Sequence, residues 1–262
     1  MSPEPTPARI AHALREQIIT GELAMGSKLN EREIAERLQV SRIPVREALP
    51  ILESEGFITT QPRRGAVVHV LTVTDAAEVF DLRRQLEPMA SAFAARRAAA
   101  GADVEPMLAA LRSAQGAAHP VDATSADAAP PSTRNSDLHE EIIALADHAL
   151  LRRVTKLMSG RVRWLFRLTP QRDTTAMWVE HREIVDAIVA GQVDVAELLT
   201  AAHVERGRLE SMPLLTGLLP AEAPAPRGRR RRPTPAAPVG SAGPTDSGPT
   251  DAGPTEATEA TA

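Results

Sequence analysis

"NEREIAERLQVSRIPVREALPILESEG", residues 30–56, decides the fold. It opens with Asn30, a good helix N-cap, and places Glu33 three positions on, the spacing of a capping box. Ile34, Ala35 and Leu38 supply an apolar face. Gln39 and Val40 leave room only for a tight turn. Ser41 is a second N-cap residue, and Gly56 is the stop that ends a second helix. In that second helix Arg42 and Arg46 stand four apart and project from nearly one face. Val45, Leu49 and Leu52 define a different, apolar face. The helix is therefore anchored by one side and offers guanidinium groups from the other. Pro50 breaks the pattern: it removes the N–H that would bond the Arg46 carbonyl, at a typical cost of about 3 kcal/mol. It lies beyond both arginines and spares the end that carries them.

The flanks complete the picture. Residues 8–20 read as an amphipathic helix with Ile10, Leu14 and Ile18 inward, ended by Gly21, and a linker containing Gly26 follows. Residues 57–70 read as two strands around a turn, Pro62-Arg63-Arg64-Gly65. Helix, helix, tight turn, helix and ribbon is the order of a winged helix-turn-helix. In such a head the start of the second paired helix enters a DNA major groove, where arginine suits bidentate contact with guanine. Arg32, the ribbon-tip pair Arg63 and Arg64, and backbone N–H groups near Ser41 suit phosphate. Charge alone does not argue this. Over residues 1–70 Arg plus Lys and Asp plus Glu are nine each, and any one of these arginines reads equally well as a solvated surface residue.

The stretches "LREQIITGEL", "KLNEREIAERLQVSRIPVREAL" and "LESEGFI…RRGAVV" follow in order over roughly residues 9–70. Here the sequence resembles the GntR superfamily of bacterial transcription regulators. The resemblance implies a DNA-contact set of Arg32, Ser41, Arg42, Pro44, Arg46, Arg63, Arg64 and Gly65, with Gly65 letting the wing approach the minor groove.

The whole chain has 262 residues, 43 % of them apolar but only 2 % aromatic, so the core is built from Leu, Val, Ile and Ala, which favours helices. There is no cysteine, which excludes disulfides, thiolate metal sites and cysteine nucleophiles and fits a reducing cytoplasm. No apolar run has the length of a membrane span, and residues 1–9 hold no signal-peptide core. The net charge of −4 gives no argument for nucleic acid, and the excess of arginine over lysine reads as coding bias.

From Thr74 the period lengthens. Val79, Leu82, Leu86, Met89 and Phe93 mark one face of a long helix that Pro88 interrupts and kinks. Further helices are expected at 103–113, 136–147, 149–168, 174–190 and 194–210. Residues 114–134 read as a flexible insertion and residues 218–262, with "RGRRRR" and "GPTD" repeats, as a disordered tail. The expected architecture is thus mainly α: a winged helix-turn-helix over 1–72, an antiparallel all-helical effector and dimerisation bundle over 73–217, and the tail. The arginine run of the tail is either a salt-sensitive phosphate attractor or simply solvated.

"DLRRQLEPMASAFAA", "NSDLHEEIIALADHALL" and "EHREIVDAIVAGQVDVAELLTAAHV" resemble the FadR-like subfamily's effector domain, called FCD, an antiparallel helical bundle, over roughly 75–212. His181 and His203 stand about equally far from the turn at Gly191–Asp194, so an antiparallel helix pair brings them together. His139 shares a face with Asn135. The resemblance implies that Asn135, His139, His181 and His203 hold a divalent metal (Zn, Ni, Co or Mn), with open positions for water or a ligand carboxylate. The bland alternative is that Asn135 caps its helix and the histidines are polar core. Asp137, two residues from His139, points elsewhere, and His148 falls on the opposite face and ends that helix. His12, His69 and His119 have no evident partners. Arg83 reads either as an effector contact, as the resemblance implies, or as a salt bridge to Glu87. In "RVRWLFRL", Trp164 and Leu168 read as core, Arg161 and Arg163 as solvated surface.

The function expected is a cytoplasmic, metabolite-responsive repressor. It would be a homodimer on a pseudo-palindromic double-stranded DNA operator, with a small-molecule effector and no membrane. Two alternatives stand beside it: a metal-dependent hydrolase, for which only Glu180 or Glu183 offers a base, and a metal-free architectural DNA-binding protein.

Overall fold

The computed structural model describes residues 6–61, 64–116, 131–170 and 175–222. Helix α1 (Pro7–Thr20) starts where the Thr6 side chain accepts from Arg9 N and stops at Gly21, whose φ of +86° only glycine adopts freely. It packs on α3 through Ile10, Leu14 and Ile18, all buried. Helix α2 (Glu31–Leu38) begins under Asn30, whose side chain accepts from Arg32 N. Glu33 meets the Asn30 amide nitrogen at 2.7 Å, so the expected reciprocal cap closes side chain to side chain. The tight turn is Gln39, left-handed at φ 53°. Helix α3 (Arg42–Ser54) follows, buries Val45, Ala48 and Leu52, and runs through Pro50.

Strand β1 (Ile58–Gln61) pairs antiparallel with β2 (Gly65–Val68), Ile58 opposite Val68. The far edge of β2 is also occupied. Leu29 N donates to Ala66 O and Val68 N to Ser27 O, both at 2.9 Å. Residues 26–29, expected as plain linker, thus clamp the wing to the head.

Behind the head lies a bundle: α4 (Val73–Ala99), α5 (Glu105–Gly116), α6 (Pro131–Leu145), α7 (Ala149–Arg167), α8 (Thr175–Val189) and α9 (Val193–Leu218). Helix α4 opens with a capping box: Thr72 Oγ1 accepts from Asp75 N, and Asp75 accepts from Thr72 N. Helices α4 and α9 run antiparallel along their length. Val73 N donates to Pro220 O at one end, Thr200 bonds Ser91 midway, and Gly191 abuts Ala99 at the other end.

Several expectations change. Of the insertion 114–134, residues 114–116 and 131–134 are helical; 117–130 lie outside the described residues. The chain is ordered past 218: α9 reaches Leu218, Leu219 is buried, and Pro220 and Ala221 bond the start of α4. The rest of the expected tail, from 223, lies outside the described residues. The stripe predicted on α4 is displaced. Leu82 is 50 % exposed, while the buried line runs Val79, Phe80, Arg83, Glu87, Ser91, Ala94, Ala95. Polar residues take the inward positions: Arg83 pairs with Glu87 on the same helix, while Glu87 and Ser91 reach partners on α6 and α9.

That line divides the interior. One apolar cluster joins head and bundle: Ile10, Leu52 and Phe57 pack with Phe80, Trp164 and Leu215. A second fills the far end with Met107, Leu138, Trp178 and Ile188. Arg83, Glu87 and Ser91 sit on α4 between Phe80 and Ala94, so a buried polar layer separates the two.

Candidate functional site

On the head, α3 presents Arg42 and Arg46 outward, 59 % and 64 % exposed. Glu31, at the start of α2, holds both: 2.9 Å from Arg46 Nη2 and 3.5 Å from Arg42 Nη2. The two guanidiniums, Arg46 first, pull the Glu31 carboxyl below its ordinary pKa against a small desolvation cost. Arg32 is exposed beside Glu36. Ser41 takes the extended N-cap backbone, and Pro44 is half-buried in the first turn of α3. On the wing, Arg64 is exposed and donates to Gln61. Gly65 has φ +75° with open space where a side chain would stand, so backbone conformation accounts for the glycine. Arg63 lies outside the described residues.

The polar layer of the bundle holds the second centre. His139 on α6, His181 on α8 and His203 on α9 are all buried and meet through Nε2 atoms. His181 Nε2 lies 3.2 Å from that of His139 and 3.1 Å from that of His203. The outer nitrogens of two rings face carboxylates: His139 Nδ1 is 3.1 Å from Glu87 and His203 Nδ1 is 2.8 Å from Glu180. Carboxylates accept only, so both Nδ1–H groups donate outward and both Nε2 atoms face the other rings. Burial, then the His203 and His139 rings, hold His181 well below its ordinary pKa, so it is neutral with one proton for two nitrogens. Its Nδ1 is buried with no partner among the described residues.

Three imidazole nitrogens thus converge on one buried point. This donor set fits a cation: at metal–nitrogen distances near 2.0–2.1 Å, cis ligands stand about 2.9–3.4 Å apart. Asn135, one turn before His139, is 4 % exposed, and its Oδ1 also lacks a partner among the described residues. It lies inside α6, more than a turn from its start, so it is not the helix cap.

The carboxylates are themselves held. Arg83 donates to Glu87 through Nε (2.6 Å) and Nη2 (3.1 Å), with Phe80 and Phe166 over its guanidinium. Burial works to raise the Glu87 pKa, but Arg83 and His139 outweigh it and hold the carboxyl well below the usual range. Arg83 thus makes the salt bridge to Glu87 that its spacing allows. Arg206 donates to Glu180. Arg83, Glu87, Asn135 and His139 line a chamber of about 30 Å³.

Other expectations need correction. His148 begins α7, accepting from Leu151 N, instead of ending α6. His69 pairs with Asp75 at 3.1 Å, and His12 Nδ1 lies 3.4 Å from Arg15 Nη1. His119 lies outside the described residues. Arg161 and Arg163 are not plain solvated surface. Arg163 bonds Glu16 of α1 at 2.7 and 2.8 Å, and Arg161 donates to Gly56 O at 3.0 Å, beside Phe57 stacked on Trp164. Alternating arginines on a predicted amphipathic helix carry no mark that separates a domain tie from a solvated face. Glu87 and Glu180 gave a weak signal by falling beside arginine or histidine.

Comparison with known proteins agrees with these two parts. Residues 6–68 match the model of the bacterial regulatory proteins, gntR family, and residues 78–206 match the FCD domain. The gluconate operon transcriptional repressor of Bacillus subtilis (strain 168) is 46 % identical over 87 residues, 33 % of this chain and 35 % of that protein. The match thus spans about a third of that relative's length. The probable D-xylose utilization operon transcriptional repressor of Paenarthrobacter nicotinovorans is 28 % identical over 194 residues, 72 % of this chain and 80 % of that one. A crystal structure of a putative transcriptional regulator GntR from Rhodococcus sp. RHA1 superposes with a TM-score of 0.65 at 25 % identity, covering 79 % of this chain and 97 % of that one. With a winged helix at its front and an FCD domain behind, the chain belongs to the GntR family of bacterial regulatory proteins.

Proposed function

We propose that this chain is a sequence-specific transcription regulator that binds operator DNA through α3 and answers to a small molecule through its bundle. The observation that carries the reading is the pair Arg42 and Arg46, exposed on the first turns of a helix whose other face is locked into the head. On DNA the guanidiniums exchange Glu31 for guanine edges, each good bidentate pair contributing about 1–3 kcal/mol of base discrimination. Arg32, Ser41, Pro44, Arg63, Arg64 and Gly65 complete the proposed contact set, the arginines as phosphate partners. Repression is the sign that the named relatives suggest. A homodimer on a pseudo-palindrome belongs to the same proposal, by the two-fold logic of paired half-sites. Among the described residues no helix is long and apolar enough to cross a membrane, which is compatible with a cytoplasmic location. Selection from a random DNA pool tests the reading. One duplex should be enriched and should outcompete scrambled DNA, and Arg46→Ala should abolish that preference.

His139, His181 and His203 would hold a divalent metal such as Zn, Ni, Co or Mn, with Asn135 Oδ1 as a further ligand. Such an ion supplies a Lewis-acid position that a carboxylate-bearing effector can occupy. Glu87 and Glu180 orient two of the imidazoles and keep their Nε2 lone pairs turned inward. Glu87 and Glu180 are committed to imidazole nitrogens and arginines, and Glu183 is exposed on α8 away from the buried histidines' polar layer, which counts against the hydrolase reading. Metal analysis separates the remaining pair. The parent chain should carry about one equivalent and lose thermal stability with a chelator, while His181→Ala should do neither. A metal-free parent would favour the architectural alternative.

A further inference from the structure

The chamber beside His139 measures about 30 Å³, room for about two waters. A much larger space lies next to it. Between the head and the bundle, α1 and the end of α3 face α6 and α7 across a cleft of about 410 Å³, within the ordinary range of small-molecule sites. The two spaces share one wall, made of Glu140, Ile143, Thr155 and Ser159. From the geometry of this cleft we propose that it is a second ligand site, that it takes a small amphipathic organic anion, and that its occupancy is coupled to how the head is held.

The chemistry of the lining sets the ligand class. Arg15 is neutralised by Glu55 at 2.6 Å, and Arg163 by Glu16 at 2.7 Å. Arg152 and Lys156 remain, four apart on α7 and so on one face. Arg152 donates to Ala144 O at 3.3 Å and has one carboxylate near it, the exposed Asp147 at 3.6 Å, and among the described residues no carboxylate pairs with Lys156. The other lining carboxylate is Glu140 on α6, in the wall shared with the chamber. Ile143 and Leu157 offer apolar surface beside these cations, with the buried Phe57 ring behind. A charged end against Arg152 and Lys156 and a greasy body against that surface satisfies both halves.

The coupling follows from which parts the cleft touches. His12, Arg15, Glu55 and Phe57 belong to the head; the rest belongs to the bundle. Helix α7 lines the cleft with Lys156, Ser159 and Gly160, and the next turn holds the head through Arg161, Arg163 and Trp164. A ligand there binds one placement of the head better than another and shifts the population between them. That second half rests on the operator reading above; the site itself does not.

The test uses the full chain and anilinonaphthalene sulfonate, an amphipathic anion whose fluorescence rises in apolar surroundings. One saturable site is expected. The exposed pair Arg152→Glu and Lys156→Glu should weaken it at least about tenfold by reversing both charges, with circular dichroism unchanged. His181→Ala should leave it within about twofold, because the chamber is a separate space. Equal affinity in parent and charge-reversed chains, or loss of the site in a folded His181→Ala chain, overturns the proposal. With a selected operator, saturating probe should change DNA affinity severalfold in the parent and not in the charge-reversed chain. Unchanged DNA affinity overturns the coupling while leaving the site. Failure to select any operator would instead sink the regulator reading, and the fluorescence result would still decide the site.

Discussion

Replacing Glu87 with alanine tests whether the polar layer holds the bundle together. Arg83 is 2 % exposed and bonds Glu87 at 2.6 and 3.1 Å, and the same carboxylate lies 3.1 Å from His139. Removing it strands a buried cation, which typically costs about 3–5 kcal/mol. Phe80 and Phe166, at 5.6 and 5.0 Å from the guanidinium, soften this by about 1 kcal/mol each at most, so the low end of that range is expected. For a chain of this size each kcal/mol moves Tm by about 2–4 °C, so Glu87→Ala should melt roughly 6–12 °C below the parent. Far-ultraviolet circular dichroism melts at neutral pH, with chelator present, measure this without any metal contribution. The double variant Arg83→Met with Glu87→Leu removes the stranded charge and should recover most of the loss. A single variant within about 1 kcal/mol of the parent, or a double variant no more stable than the single, would refute the reasoning.

Three further outcomes follow from other parts of the fold. Pro50 is exposed in the middle of α3 and withholds an N–H from the helix, so Pro50→Leu should raise Tm, by up to about 3 kcal/mol of stability; an unchanged or lower Tm counts against the strain argument. At Gly160 a Cβ would stand 2.8 Å from the Phe57 ring, which Trp164 backs at 5.4 Å, so Gly160→Ala should cost about 1–3 kcal/mol and speed proteolysis between head and bundle. Burial opposes ionisation of Asp75, yet the His69 and Thr72 bonds hold its carboxyl well below its ordinary value of 3.8. A depressed carboxyl stabilises the fold above its unfolded pKa and loses that contribution as pH falls through the folded one. Asp75→Asn should therefore cost about 2 kcal/mol at neutral pH, and the gap to the parent should close as acid is added below about pH 4. A gap that widens in acid would reverse the sign argued here.

The linear sequence by itself determined the head. Its caps, its turn at Gln39, the spacing of Arg42, Arg46 and the apolar face of α3 are local relations within a few residues, where backbone hydrogen bonding and side-chain periodicity act directly. It also brought His181 and His203 together, because one short turn joins two helices of similar reach. What tertiary structure alone decided lies in the third dimension. Arg83, Glu87 and Ser91 face inward on α4, and Leu82 faces out, because the partners that make burial of charge tolerable, His139 and Thr200, come from α6 and α9. Arg161 and Arg163 tie head to bundle through Gly56 and Glu16, more than a hundred residues earlier in the chain. A charged side chain reads as solvent-facing until its surroundings are known: the Arg83–Glu87 pair is legible as a four-residue spacing, but its burial is set by packing between helices, which no local periodicity encodes.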